Sequence, residues 1–299
     1  MSISAPKFSA NLTGIIFMVF SAVLMTGMAV MVRQVAEGMH PFQVAFLRNL
    51  LGVMFLAPLL LKYGLETLQT NDMGWMAARG VFNAAAMLSF FMALTMLPLA
   101  NISALMFTVP LFVSLMAVIF LKELMGPRRT LSLIVGFSGA LIILRPGFEV
   151  IGVGSLFALF SAFSWGTAVV IIKRLSRTNS TLTVTIYGMS FLTLFTLPPA
   201  LFVWQWPNLE QVLWLIAIAG GGTIGQLFFT QSLKVADATL VMPFDFTKLI
   251  WASLFGFMFF SEIPVIWVFV GGAVIFASTS YLTYREGRDK MPAKPMEVV

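Results

Sequence analysis

The sequence contains no cysteine, and His40 is the only histidine among its 299 residues. The first absence excludes disulfide bonds, thiolate chemistry and cysteine metal sites, and a single histidine excludes a cluster of imidazole ligands. We therefore expect neither a metal site nor a bound cofactor.

Charged residues are also scarce. They make up 10% of the chain and apolar residues 59%, whereas an ordinary soluble domain has about 25% charged and roughly 45–50% apolar residues. So much apolar surface exceeds what a soluble core of this length can bury, and it predicts a polytopic membrane protein. The net charge of +6 does not indicate a nucleic-acid partner, because the basic residues lie at the ends of apolar runs and do not cluster on one face.

Ten apolar runs are candidates for membrane-spanning helices, which need about 20 residues. The first run follows Lys7 and is longer than the 7–15-residue core of a signal peptide, so it predicts a retained helix. The fifth run has only about 15 residues, near the length of a buried or re-entrant segment. The predicted spans are 12–32, 42–61, 75–97, 99–121, 130–145, 151–172, 182–204, 212–233, 238–260 and 264–283.

The distribution of Lys and Arg supports all ten spans and orients them. With the N-terminus in the cytoplasm, cytoplasmic segments hold 13 of the 18 basic residues, and the external loops hold only Arg33 and Arg145. Basic residues prefer cytoplasmic loops, and omitting the fifth span would place the later basic clusters outside. We therefore expect both termini in the cytoplasm of a bacterial cell, with the chain in the inner membrane. Residues 285–299 are polar and contain proline, which predicts a disordered tail.

An internal repeat divides the chain into two halves. The segment "GIIFMVFSAVLMTGMAVMVRQ" at 14–34 is echoed by "GSLFALFSAFSWGTAVVIIKR" at 154–174, at a constant offset of 140 residues. Weaker matches continue in the same order through five spans. Because five is odd, the second half must enter the membrane from the opposite face. The predicted fold is an all-α integral membrane protein of two inverted five-helix repeats, 1–147 and 148–284. Secondary transporters recurrently have this plan, with a midplane site and alternating access.

Three motifs carry a resemblance to a known family. They are "AFLRNLL" at 45–51, Pro110 followed by Leu121-Lys122-Glu123, and "GFSGALIIL" at 136–144. With them, the chain resembles the ten-helix EamA-type branch of the drug/metabolite transporter superfamily, and within that branch the YddG-type aromatic amino-acid exporters. The resemblance implies export of amino acids, aromatic or otherwise bulky and amphiphilic. Gly188 occupies the position equivalent to Arg48, so we do not expect both halves to contribute equally to a site.

Ionisable residues within the spans are the first site candidates, because each costs at least about 2.5–3.5 kcal/mol to insert. Asp245 and Lys248 are three residues apart and share a helix face. They form either an internal ion pair or a site in which Lys248 attracts a substrate carboxylate, while Asp245 binds the amine or titrates. Arg48 is either a structural anchor or a substrate ligand. Arg79 lies near the cytoplasmic end of its span, where snorkelling is expected.

Neutral polar and aromatic residues complete the candidate site. Asn83 and Gln226 either form helix–helix hydrogen bonds or bind substrate, and each adjoins a small-residue stretch. The candidates from the bulky residues are Trp165, Trp251, Met25 and Met28. Met25 and Trp165 are equivalent in the repeat and break its symmetry, so we expect them on opposite walls of a substrate cavity. The run at 220–222, "GGG", predicts either tight helix packing or local unwinding.

The sequence also limits the possible energy sources and the competing functions. No phosphate-binding loop of the form G-x-x-x-x-G-K-[ST] occurs, so ATP hydrolysis is not the drive. Downhill export and proton exchange through Asp245 both remain open. A drug or other metabolite exporter is the alternative within the same class. An integral-membrane lipid-modifying enzyme is the alternative outside it, but would need clustered His, Asp, Glu or Cys near one interface. We expect a transporter whose partners are a small-molecule substrate and the lipid bilayer, and nothing requires a second copy of the chain.

Overall fold

The computed structural model of the chain describes residues 10–63, 69–121, 127–145, 152–175, 177–179, 181–236, 241 and 244–289. Every regular element within these residues is a helix. We name the two membrane faces cytoplasmic and outer, according to the orientation that the basic residues predict.

Eleven helices are described. They are α1 (Ala10–Val35), α2 (Pro41–Tyr63), α3 (Met73–Met96), α4 (Leu99–Met106), α5 (Val109–Leu121), α6 (Pro127–Leu144), α7 (Val153–Leu175), α8 (Thr181–Phe202), α9 (Leu209–Val235), α10 (Thr247–Phe260) and α11 (Ile266–Asp289).

These helices confirm the predicted multi-pass fold. Six described segments are long and apolar enough to cross a membrane, and three further apolar helices are shorter. The fifth predicted span corresponds to α6, which is 18 residues long, and its apolar part, Thr130–Leu144, is one of the three shorter helices. The last helix continues to Asp289, past the predicted start of the tail at 285, and residues 290–299 lie outside the described residues.

The fourth span is broken, which the sequence analysis did not predict. Pro110 has no N–H, and its ring conflicts with the carbonyl four residues earlier, so the helix is interrupted at Phe107 and Thr108. The hydroxyl of Thr108 donates to the Leu105 carbonyl at 2.7 Å. In the second half, Thr247 donates to the Phe244 carbonyl at the same distance. Both threonines and both acceptors are related by an offset of 139, so the two halves share one local structure.

The two interruptions meet in space. Phe107 and Phe246 each precede one of these threonines, and their ring centroids lie 4.1 Å apart. Phe246 also packs edge-on against Phe276, at 4.5 Å between centroids. An aromatic contact therefore joins the fourth and ninth spans where both helices are interrupted.

Each half inserts its first helix against the third span of the other half, so that α1 packs along α9 and α7 along α3. Ser21 in α1 donates to the Gly225 carbonyl at 2.8 Å. Ser161 in α7 donates to the Ala86 carbonyl at 2.7 Å. These residues are the repeated serines of the Phe-Ser-Ala core, and their acceptors are also equivalent in the repeat. The shared motif thus makes the same cross-half hydrogen bond twice.

Glycines permit the closest helix contacts. A Cβ on Gly14 would lie 2.5 Å from the Ala236 Cβ, and one on Gly154 would lie 2.7 Å from the Met96 Cβ. Between α6 and α11, a Cβ on Gly139 would lie 2.8 Å from the Gly271 carbonyl oxygen. Such close approach of backbones is typical of helix packing in membranes, where small residues line the interfaces.

The loops on the cytoplasmic face are also joined. Thr178 and Asn179 donate to the Asp72 carboxylate at 2.6 and 2.8 Å. These hydrogen bonds favour the charged form and lower the pKa of Asp72 from its ordinary value. On the outer face, the Gln205 backbone N–H donates to Gln43 at 3.0 Å. On the cytoplasmic face the loop before α8 thus meets the loop before α3, and on the outer face the loop before α9 meets the first turn of α2.

We expect Gly139→Ala to destabilise the protein, because its methyl group would press on the backbone of α11. Overpacking of this kind costs about 1–3 kcal/mol. The matched control is Gly220→Ala, at a helical glycine with no neighbouring atom within 4 Å of an added Cβ. Thermal unfolding in detergent measures the difference: the control should match or exceed the original chain, and equal midpoints for both variants would contradict the proposed backbone contact.

Candidate functional site

Trp165 lies on the side of α7 opposite to the side that carries Leu156. Its side chain is 38% exposed, and Leu156, nine residues earlier, is 55% exposed. At about 100° per residue, these two positions lie about 180° apart. Ala158 and Ser161, on the same side as Trp165, are buried. The indole is therefore exposed to a space inside the bundle, while Leu156 faces the lipid.

Gln226 has the same arrangement on α9. It is exposed, although Gly222, Ala219 and Leu215 on its side of the helix are buried. Ile224 is 49% exposed and lies about 160° away around the helix. Gln226 therefore also faces the interior of the bundle.

The hydrogen bonds of Ser21 and Ser161 show which residues of neighbouring helices lie at the same depth in the membrane. Trp165 lies one turn to the cytoplasmic side of Ser161, and Asn83 lies about one turn to the cytoplasmic side of the bonded residue, Ala86. Trp165 and Asn83 are thus at the same depth on adjacent, antiparallel helices. They form what we call the Trp165 wall.

The inverted copy of this wall is formed by α1 and α9. Met25 lies one turn to the outer side of Ser21, and Gly222 lies about one turn to the outer side of Gly225. A Cβ on Gly225 would lie 3.2 Å from the Met25 Cγ, so this side chain packs directly on α9. We call this the Met25 wall. Met25 and Trp165 thus belong to different helix pairs, and their placement on opposite walls of a substrate cavity stays a prediction.

Arg48 lies in the Met25 wall, against Gly222. A Cβ on Gly222 would lie 2.9 Å from Arg48 Nη2 and 2.7 Å from Met28 Sδ. Arg48 Nη1 donates to Asn49 Oδ1 at 2.9 Å, and Nε is buried with no hydrogen-bond partner among the described residues. Within that part of the chain, Arg48 has no carboxylate partner. Glycine at 222 therefore makes room for an unneutralised guanidinium inside the membrane.

The equivalent place in the other half holds a different arginine. Gly188 is the counterpart of Arg48, and the guanidinium of Arg79 from α3 lies against it. Arg79 donates to the Val184 carbonyl of α8. In both places an arginine thus lies against a glycine of the other half. In one, the arginine is on a second span (α2) and the glycine on a third span (α9); in the other, the arginine is on the third span (α3) and the glycine on the second (α8). Arg79 anchors α3 to α8 near their cytoplasmic ends.

Asp245 and Lys248 form the ion pair that was one of the two predicted alternatives. Lys248 Nζ lies 2.5 Å from Asp245 Oδ1, and the side chains of Lys248 and Asp245 are 28% and 20% exposed, respectively. The ammonium also lies 5.7 Å from the ring centroid of Phe229, three residues from Gln226 on α9. Since Asp245 neutralises Lys248, Arg48 is the stronger candidate for binding an anionic group.

Two other predicted site residues have buried polar atoms without a partner. Asn83 Oδ1 and Trp251 Nε1 form no hydrogen bond with the described residues. The ring of Trp251 packs 6.2 Å from that of Phe255, centroid to centroid. An unsatisfied buried polar group costs about 1–3 kcal/mol, so these atoms are available to a polar ligand or to water.

Sequence reasoning missed two parts of the site. Asn49 accepts from Arg48, and its Nδ2 lies 3.2 Å from Met87 Sδ, so it joins α2 to α3. The role of Gly222 was also missed, although the "GGG" run drew attention to it. The run is helical throughout, which favours packing over unwinding.

Metal chemistry has no support in the part of the chain that the structure describes. No group of three or more His, Cys, Asp or Glu there could hold a metal ion. Among the described residues the site instead offers Arg48 without a carboxylate partner, the Asp245–Lys248 ion pair, amides and large apolar surfaces, which suits recognition of an amphiphilic organic molecule.

Comparison with known proteins assigns this architecture to a family. The model of the EamA-like transporter family matches residues 12–145 and again 152–284. A riboflavin transporter of Vibrio cholerae is 31% identical, over 83% of this chain and 85% of that protein. An S-adenosylmethionine uptake transporter of Rickettsia felis is 26% identical, over 92% and 94%. A pseudopaline exporter of Pseudomonas aeruginosa is 26% identical, over 88% and 93%.

A solved crystal structure supports the fold alone. It superposes with a TM-score of 0.60 at 17% identity, over 94% of this chain and 99% of the other.

We expect Gly222→Ala to weaken substrate uptake without unfolding the protein. The new methyl group would displace the flexible ends of Met28 and Arg48 and no backbone. Loss of a hydrogen bond to a charged group costs about 1.5–3 kcal/mol, so the KM for uptake should rise about tenfold or more. The unfolding temperature should stay within a few degrees of that of the original chain. Gly220→Ala is the control. An unchanged KM in Gly222→Ala would show that Arg48 does not take part in substrate binding.

We expect Lys248→Met to reduce uptake about tenfold or more if the ammonium contacts the substrate. This change also leaves Asp245 unpaired, so the double variant Asp245→Asn/Lys248→Met is needed as a control. Removing both charges repairs a purely structural defect but cannot restore a lost ligand. Uptake kinetics of both variants decide the question: normal transport by the double variant would show that the pair is structural.

Proposed function

The chain belongs to the EamA-like transporter family, and from this we propose that it exports amino acids across the bacterial inner membrane by alternating access. The preferred substrates in this proposal are aromatic or other bulky amphiphilic amino acids. The family assignment makes the protein a membrane transporter and not an enzyme.

The unneutralised Arg48 carries the proposal. Its guanidinium faces Met28 and Gly222 in the Met25 wall, with Nε buried and unpartnered among the described residues. A substrate carboxylate is the natural complement, because a guanidinium can donate two parallel hydrogen bonds to it. The α-carboxylate of an amino acid would neutralise the guanidinium of Arg48, which has no carboxylate partner among the described residues.

A second polar contact is available for the substrate amine. Asp245 is 20% exposed and could exchange part of its contact with Lys248 for a contact with an ammonium group. Gln226 faces the same interior and can donate or accept. Together with Arg48, these groups support recognition of a zwitterion.

The apolar surfaces support a bulky side chain. Trp165 is exposed to the interior, and Trp251 has a free indole N–H among the described residues. Met25 and Met28 line the other wall, and methionine adapts its shape to irregular ligands. Aromatic rings stack or pack edge-on with gains of about 0.5–1.5 kcal/mol beyond area burial, so an aromatic substrate gains most from this interior.

The named substrates of the relatives are compatible with a bulky amphiphilic substrate, and its assignment to the amino acids is our proposal. Their named substrates are riboflavin, S-adenosylmethionine and pseudopaline. S-adenosylmethionine is an amino acid attached to a ring system, which agrees with a site for a carboxylate and a planar group. The names include both uptake and export, so the direction of transport rests on our proposal alone.

A transport assay with matched substrates tests the proposal. Purified protein in liposomes should take up tryptophan and phenylalanine, and should discriminate about tenfold or more against tryptamine, which lacks the carboxylate that Arg48 would bind. Arg48→Gln should reduce this discrimination. Riboflavin and S-adenosylmethionine complete the panel, and transport of either without any amino acid would overturn the amino-acid assignment.

The same assay with an imposed proton gradient tests the energy source. Proton exchange through Asp245 requires that the gradient accelerate uptake in the original chain and not in Asp245→Asn. Indifference of the original chain to the gradient would leave downhill export as the mechanism.

A further inference from the structure

We infer that Asn49 determines which charge the transporter accepts in its substrate. Its neutral amide holds the Arg48 guanidinium in place and leaves the positive charge for a substrate carboxylate. Asn49 is thus a positioning residue that acts through Arg48. For the nature of the substrate, the inference rests on the proposed function.

The amide of Asn49 is buried and bonded at both ends. The residue is only 2% exposed. Its Oδ1 accepts from Arg48 Nη1 at 2.9 Å, and its Nδ2 donates to Met87 Sδ of α3 at 3.2 Å. A rotated amide would turn its NH2 group toward the guanidinium, donor against donor, so the contact with Arg48 fixes the orientation. Among the described residues, this is the one hydrogen bond that the guanidinium forms.

The acceptor at position 49 differs in charge from the acceptors of two other cations in the bundle. Arg33, in the last turn of α1, forms an ion pair with Glu262, and Lys248 forms one with Asp245. Arg48 instead meets an amide, which has the shape of a carboxylate but no charge. Charges interact much more strongly inside a protein than in water. The residue at position 49 therefore decides whether this part of the interior has a net positive charge.

The other neighbours of Arg48 are also uncharged. A Cβ on Gly222 would lie close to both Arg48 Nη2 and Met28 Sδ, so a glycine and a thioether border the guanidinium. Met87, the second partner of Asn49, is another thioether. None of these groups carries a negative charge. Among the described residues, an incoming carboxylate therefore has no bonded anion to displace from Arg48.

The internal repeat supports a joint role for the two residues. At the offset of 140, Arg48 and Asn49 correspond to Gly188 and Met189. The second half thus lacks both the guanidinium and the amide at these positions. The amide occurs in the half in which it has a guanidinium to hold.

Replacement of Asn49 by aspartate is the sharpest probe, because it changes the charge with hardly any change of shape. The carboxylate introduced by Asn49→Asp would accept from the same guanidinium and form an ion pair with it. A substrate carboxylate would then have to compete for Arg48 with an acceptor that is always present. An amine without a carboxylate would have no such competitor.

Uptake into liposomes tests the effect on selectivity. In Asn49→Asp, the preference for tryptophan over tryptamine should fall about tenfold or more, the value for loss of a hydrogen bond between charged groups. In Asn49→Ala the guanidinium keeps its charge but loses the acceptor that holds it. The KM for tryptophan should therefore rise about threefold to tenfold, while tryptophan stays preferred over tryptamine. The same loss of preference in both variants would show that Asn49 has only a packing role, and would overturn the inference.

The matched control is Asn208→Asp, which introduces the same charge at the exposed outer start of α9. Asn208 accepts from the Gln211 backbone N–H at 2.8 Å, and aspartate is an equally good cap at a helix N-terminus. Tryptophan should stay preferred in this variant. A loss of preference as large as in Asn49→Asp would mean that added negative charge attracts amines in general, and the inference would be wrong.

A thermal-unfolding cycle tests the inference without any substrate. It compares the original chain with Asn49→Asp, Arg48→Gln and the double variant in detergent. Asn49→Asp should raise the unfolding temperature by a few degrees, because it gives a buried cation a charged partner. In the Arg48→Gln background it should lower that temperature, because the new carboxylate is then buried without a partner. Equal shifts in both backgrounds, or failure of Asn49→Asp to fold beside an intact Arg48, would refute the inference.

The two experiments separate the role of Asn49 from the amino-acid assignment. If the original chain transports no amino acid, the proposed function fails, and the unfolding cycle still decides whether Asn49 leaves Arg48 unneutralised. If the original chain transports tryptophan and Asn49→Asp keeps the preference over tryptamine, the proposed function stands and the role of Asn49 is refuted.

Discussion

The cross-half serine hydrogen bonds are the contacts on which the rest of the structure depends. Ser21 and Ser161 each join the first helix of one half to the third span of the other. Within a bilayer no water competes for these carbonyls, and small residues at the same interfaces let the helices approach closely. Because the two contacts are equivalent, they fix both walls of the interior at matching depths, and every other feature of the site is placed relative to them.

The symmetric frame carries asymmetric side chains, and this asymmetry gives the interior its chemistry. Gly222 makes room for Arg48 in one half, whereas Gly188 makes room for Arg79 in the other. Arg79 is engaged with a backbone carbonyl, which leaves Arg48 as the cation with donors to spare. Met25 and Trp165 differ in the same way. The inverted repeat gives the two halves the same backbone arrangement. Their unequal side chains allow a substrate to bind in a single orientation.

The contact of Phe107 with Phe246 relates the site to the two membrane faces. Both spans are interrupted there, and the helices α5 and α10 begin next to the contact. The two portions of each span can therefore tilt separately on either side of this contact. That geometry provides a physical reason why a transporter of this plan breaks its fourth and ninth spans and leaves the first and third continuous.

Composition and hydropathy were sufficient to predict a multi-pass helical chain, because the membrane imposes these features on each segment separately. The repeat was visible as self-similarity at an offset of 140 residues, and the orientation stays a prediction from the basic residues. The Asp245–Lys248 pair was predictable as one of two alternatives, since both residues lie on one helix face. Other features depend on segments far apart in the chain: the seat of Arg48 on Gly222, the partner of Arg33, and the meeting of the two phenylalanines. Helix propensity and hydropathy contain no term for such contacts, so only the tertiary packing decided which charge is neutralised and which is left for a ligand.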